Sequence, residues 1–163
     1  MKKFIVFILM AFVMCVNAKA QNWEVDYHQA DELKGTEGYY SNFYMDTNGN
    51  YFVCWSNDTN VKIGTSRGIF DYNDNYVFVI IGFYKNDSLI EKETSYFYVP
   101  RGDSDTAFTS NYRSPNLGTK IINHLKNVGN VRIIACKYSG ADMDMVVPMN
   151  PNLKLYFFAD KGG

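Results

Sequence analysis

Tyr76-Val77-Phe78-Val79-Ile80-Ile81-Gly82-Phe83-Tyr84 is the stretch that decides the fold, because beyond the N-terminal segment nothing in the chain is more hydrophobic. It holds no charged residue and is rich in β-branched and aromatic side chains, which suit a strand. It also lacks the polar alternation of a half-solvated strand. It therefore predicts a central strand buried on both faces or nearly so. Polar turns bracket it: Asp71-Tyr72-Asn73-Asp74-Asn75 before, Lys85-Asn86-Asp87-Ser88 after.

Further strands are expected on either side. Trp23-Glu24-Val25-Asp26-Tyr27 alternates apolar and polar residues and reads as a first strand. Residues 39–45 and 51–55 flank Asn48-Gly49, a hairpin signal because both residues tolerate positive φ. Residues 61–63 form a short strand, with Ile69-Phe70 expected to pair nearby. Residues 89–93 and 94–99 continue as strand up to Pro100, where a missing N–H matters least. Residues 131–138 and 143–147 follow, and 153–158 reads as a last strand or a short helix. Leu117, Ile121, Leu125 and Val128 recur at helical spacing beside Ile122, so one short helix is predicted at 117–128. Gly129 stands where a C-cap glycine belongs, and Lys120 and Lys126 point outward. Many short strands, polar turns and one late helix define a mainly β fold: an antiparallel β-sandwich or barrel-like domain.

The N-terminus carries Lys2 and Lys3, an apolar run over residues 4–16, and Ala18-Lys19-Ala20. That is the layout of a secretory signal peptide at 1–20, with an apolar core too short to span a bilayer comfortably. Residues 21–163 then form a single domain with no membrane span. The expected location is periplasmic or extracellular. Losing Lys2, Lys3 and Lys19 leaves acidic residues in excess, and no basic run exists, which argues against nucleic acid as a partner. Beyond the leader the chain has two cysteines, Cys54 and Cys136. An oxidising compartment makes them a candidate disulfide. The alternative is two separate buried thiols in strands.

The order of features resembles small exported β-sandwich proteins of Gram-negative bacteria. It comprises an early Trp, a Cys-bearing strand, a long apolar strand ending in a charged hairpin, and a short helix leading into a second Cys-bearing strand. The invasion-associated locus B group and the envelope-associated accessory proteins of type VI secretion share it. The resemblance implies binding or assembly roles outside the cytoplasm and no catalytic centre.

The chemical motifs read blandly. Arg101-Gly102-Asp103 spells an integrin-type tripeptide, yet it follows Pro100 and precedes Ser104-Asp105, so a turn is expected there. Asp46 to Asn50 and Asp71 to Asn75 alternate oxygen side chains, but the twelfth positions counted from Asp46 and Asp71 are Asn57 and Gly82, not the Glu an EF-hand loop needs. No metal and no cofactor is expected. His28 and His124 are the only histidines, no serine sits in a G-x-S-x-G turn, and Cys136 lies in an apolar strand that raises a thiol pKa. Glu91 with Glu93, and Asp142 with Asp144, share strand faces and read as solvated positions rather than a glycosidase pair. An enzyme is not expected.

Aromatics make up 17% of the chain, more than one small core readily takes up, so some must face outward. Trp55, Tyr96 and Tyr98 are the candidate binding residues on such a face, with Arg101 and Asp103 on the neighbouring loop. A secreted or envelope protein is the expected partner, and a glycan is the alternative.

Overall fold

The computed structural model describes residues 23–68, 70, 75–110, 112–136 and 143–156. The expected leader lies outside these residues. So do Ile69, most of the Asp71–Asn75 turn, Asp142, and the ends of the 131–138 and 153–158 segments.

Nine strands form one antiparallel sheet: β1 (Trp23–His28), β2 (Tyr39–Met45), β3 (Asn50–Trp55), β4 (Val61–Thr65), β5 (Tyr76–Lys85), β6 (Ser88–Tyr98), β7 (Thr106–Phe108), β8 (Val131–Cys136) and β9 (Met143–Val147). Among the described residues there is a single helix, α1 (Leu117–Asn127), between β7 and β8 in sequence. The spatial order is β1-β2-β3-β4-β7-β6-β5-β8-β9. The mainly β, antiparallel reading holds. Two packed sheets do not: every described strand belongs to one sheet, which curls until β3 meets β9, where Asn50 Nδ2 donates to the Asp144 carbonyl at 3.4 Å.

The turns explain the register. Asn86 and Asp87 both adopt positive φ, 48° and 63°, which makes β5–β6 a tight two-residue hairpin. At β2–β3 only Gly49 has positive φ, 75°, not Asn48. Asp46 Oδ1 accepts the N–H groups of Asn48 and Asn50, and so holds Asn48 in an ordinary turn conformation. The expected break between residues 93 and 94 does not occur, and β6 is continuous. It carries a bulge instead: Phe83 pairs Glu91 while Tyr84 pairs Leu89, leaving Ile90 unmatched.

In β5, Val77, Val79, Ile81 and Phe83 are buried while the residues between them are only half-buried. The inner face is therefore fully buried and the outer face only partly so, with no second layer over the outer side among the described residues. β1 departs in the other direction. Trp23 packs on Tyr44 and Phe52, but Val25 and Tyr27 are exposed, as a sheet-edge position allows.

The inner face is covered by α1 and by the chain that follows β9. Leu117, Ile121, Ile122 and Leu125 join the core, while Val128 lies outside it. Gly129 does not cap through positive φ as expected. Its missing side chain matters because the Tyr84 carbonyl occupies the place of a Cβ. The same carbonyl lies 2.8 Å from His124 Nε2, and Tyr84 N–H donates to the Asn130 carbonyl. The end of β5 is thus locked to the end of α1.

Residues 148–156 form neither strand nor helix as far as they are described; they act as a strap. Trp23 Nε1 donates to the Pro148 carbonyl, Asn150 N–H to Leu125, and Tyr156 N–H to Ser56. Leu153 fills the core. Asn42, fully buried on β2, accepts from Lys154 N–H at 2.9 Å and donates to the Lys154 carbonyl at 3.1 Å, standing in for a neighbouring strand.

Asn42→Ala leaves both Lys154 groups without partners and a void behind them. We expect it to lower stability by about 2–3 kcal/mol and the thermal midpoint by roughly 6–10 °C, read by circular dichroism. A midpoint no lower than that of the surface variant Asn152→Ala would contradict the strap's role.

Candidate functional site

Strand parity sorts the aromatic residues. Tyr98 pairs with Phe108 and with Tyr76, and Tyr96 with Phe78, which places all five on the outer face. Trp55 and Tyr51 of β3 share it, because Phe52 and Cys54 alternate with them into the core. The candidate residues Trp55, Tyr96 and Tyr98 are therefore brought onto one surface. Tyr96 is 48% exposed and Tyr98 40%, enough for a partner to touch both rings. Cross-strand pairing also occurs: Tyr76 meets Tyr98 edge-on at 6.0 Å and Phe78 meets Tyr96 at 5.5 Å. Ile80 and Ile134, opposed across β5 and β8, extend the apolar area.

Farther along the face, Trp55 and Phe108 lie nearly parallel, at 10° and 6.5 Å. Lys62 stands between β3 and β7 with its ammonium 5.5 Å from the Tyr51 ring and 5.9 Å from Phe108. Beside them a cleft of about 510 Å³ opens among Tyr39, Trp55, Asn57, Asp58, Asn60 and Phe108. Phe108 carries no signal of this role in the sequence. β7 is three residues long and shows no alternation to place Phe108 on a face.

The Arg101–Asp103 loop is a turn. Arg101 and Gly102 are exposed, and Gly102 takes φ 82°. Asp103 is committed internally: Oδ1 accepts the N–H groups of Asp105 and Thr106, and Oδ2 accepts the Thr106 hydroxyl. Partial burial raises the Asp103 pKa, but the Thr106 hydroxyl, the two amides and Lys62 together outweigh it and hold the carboxyl below its ordinary value. An integrin-type ligand needs that carboxylate directed outward; here it starts β7.

Cys54 faces the core, and burial pushes its thiol up to about 12. Cys136 is half-buried and pairs in register with Phe78 on the outer face. The candidate Cys54–Cys136 disulfide is thus corrected: no bond joins them, because they lie on opposite faces of the sheet. His124 does not face Cys136. It bonds the Tyr84 carbonyl and packs on Phe83. Glu91 and Glu93 do share a face, but it is the one facing α1, where Lys120 reaches both, and they are not simply solvated. Asp144 pairs with Arg132, which holds the carboxyl below its ordinary value despite partial burial. In the Asp46 turn both carboxylate oxygens are taken, Oδ2 by Asn50 Nδ2. Among the described residues no helix is long and apolar enough to cross a membrane, and no three metal-ligating side chains cluster.

Comparison with family models, curated proteins and solved structures finds no match to the chain.

A carboxylate held low contributes stability above its unfolded value, and that stability is lost as pH falls through the folded value. Asp103→Asn should therefore be about 1–2 kcal/mol less stable than the parent at pH 7 and lose less on acidification from pH 5 to pH 2. Urea melts across that range read both effects. Parallel stability–pH curves for the two proteins would show that the loop carboxylate is not held this way.

Proposed function

We propose that this chain is an exported, non-enzymatic binding or envelope-assembly protein, periplasmic or extracellular, that recognises another protein through its outer sheet face. The observation that carries the reading is the half-exposed aromatic surface of Tyr76, Phe78, Tyr96 and Tyr98, continued by Ile80 and Ile134, with no second sheet over it among the described residues. Tyr supplies broad apolar area and a hydroxyl at low entropic cost, which is why it concentrates at protein interfaces. The outer side of a curled sheet suits a protein surface better than a small molecule, which needs a concave site. The commitment of His124 to Tyr84, the high thiol pKa of Cys54 and the paired carboxylates support a role without catalysis. The resemblance to exported envelope proteins points the same way.

Cross-linking pull-down of the tagged mature protein from its own cell envelope, at native expression level, tests this. A stoichiometric protein partner is expected, and Tyr96→Ala/Tyr98→Ala should cut its recovery at least tenfold. Because both rings are half-exposed, the double variant should stay folded, losing about 1–2 kcal/mol. Recovery of the same partner by the folded double variant would rule out this face.

A further inference from the structure

We infer that the cleft between the β3–β4 turn and β7 is a subsite for a neutral saccharide. The site is distinct from the Tyr96–Tyr98 surface and goes beyond the protein-binding reading. Its apolar wall is Trp55 and Phe108, whose rings lie nearly parallel at 6.5 Å, with Tyr39 at the opposite margin. Tyr39 is itself steadied by His28, stacked on it at 4.5 Å and 17°.

The polar wall is set by the turn after β3. Asp58 Oδ1 accepts the Asn60 N–H at 2.8 Å and Asn60 Nδ2 at 3.1 Å. Asn60 Oδ1 accepts the Thr109 hydroxyl, and that hydroxyl oxygen accepts the Val61 N–H. The Asn60 amide is thereby fixed between two strands before any ligand arrives. These bonds fall on Asp58 Oδ1 and leave Oδ2 outside the set. Among the described residues the Trp55 indole N–H makes no hydrogen bond either. The turn itself is held from behind, because α1 packs so closely on Thr59 that Gly118 has no room for a side chain.

The lining selects a ligand class. It holds one carboxylate and no Lys or Arg, and the neighbouring Lys62 ammonium stands over the Tyr51 and Phe108 rings outside the lining, so an anionic ligand would meet the Asp58 carboxylate with no cation in the cleft itself. A purely apolar ligand would strand the Asp58 and Asn57 side chains without water. A pyranose satisfies both walls. Its C–H face lies against an aromatic ring, and its vicinal hydroxyls donate to a carboxylate and accept from an amide or indole N–H. A cleft of about 510 Å³ falls within the size range of small-ligand sites.

The test is a titration of purified mature protein with neutral hexasaccharides of different linkage, after a neutral-glycan array, read by tryptophan fluorescence and calorimetry. At least one neutral glycan should bind and perturb the fluorescence. Trp55→Ala and the near-isosteric Asp58→Asn should each weaken it at least tenfold, while Tyr96→Ala leaves it unchanged. Thermal melts establish that each variant is folded. No binding across the neutral array, or binding that survives both cleft variants, overturns the proposal. Glycan binding abolished by Tyr96→Ala instead would also overturn it. Because the protein-partner pull-down depends on Tyr96 and Tyr98 and not on Asp58, failure of one reading is distinguishable from failure of the other.

Discussion

The need to cover one face of a single sheet governs the whole structure. Val79, Ile81, Phe97, Ile133 and Met145 all project to the same side, and in water that side must be hidden. An eleven-residue helix is too small to hide nine strands. The sheet therefore curls until β3 approaches β9, and the strap of residues 148–156 closes what remains. Asn42 is central to that closure. A buried amide is costly unless every polar atom has a partner, and here the partners are the two backbone groups of Lys154 and the Cys54 carbonyl. The polar residue in the core is tolerated because it replaces a missing strand.

Covering one face so economically leaves the other without a second layer among the described residues, and the proposed binding surface lies there. The aromatic pairs that tie β5 to β6 stabilise the sheet and remain accessible at their edges. In the proposed function the same side chains serve structure and recognition. The cleft at Trp55 differs in kind. It is a cleft, its polar groups are fixed by the β3–β4 turn, and its aromatic wall spans two strands, with Trp55 on β3 and Phe108 on β7.

What could be read in the sequence follows the range of the interactions. Eight of the nine strands and the helix are visible from local pattern, because hairpin turns and apolar periodicity are local. The parity that puts Tyr96 with Tyr98 is equally local. The partners are not. Phe108 joins Trp55 only through the order β3-β4-β7, which no neighbouring residue signals. The strap shows no periodicity because its hydrogen bonds go to a side chain more than a hundred residues away. Cys54 and Cys136 invite pairing only through the compartment expected from the N-terminal segment, and the strand register shows them pointing apart. The tripeptide at Arg101 looks like a ligand until the carboxylate of Asp103 is seen capping its own turn.

The brevity of β7 has a mechanical meaning. It meets β6 at one residue pair, Tyr98 with Phe108, so the nine-stranded ladder is one rung wide at that point. On one side lie β1 to β4 with β7; on the other lie β5, β6, β8 and β9. A change of pitch between these halves breaks a single rung and leaves every other ladder whole. The Trp55 cleft belongs to the first half and the Tyr96 surface to the second. The seam between them is the narrowest point of the sheet, and α1 bridges it, packing on Thr59 on one side and reaching Glu91 and Glu93 on the other.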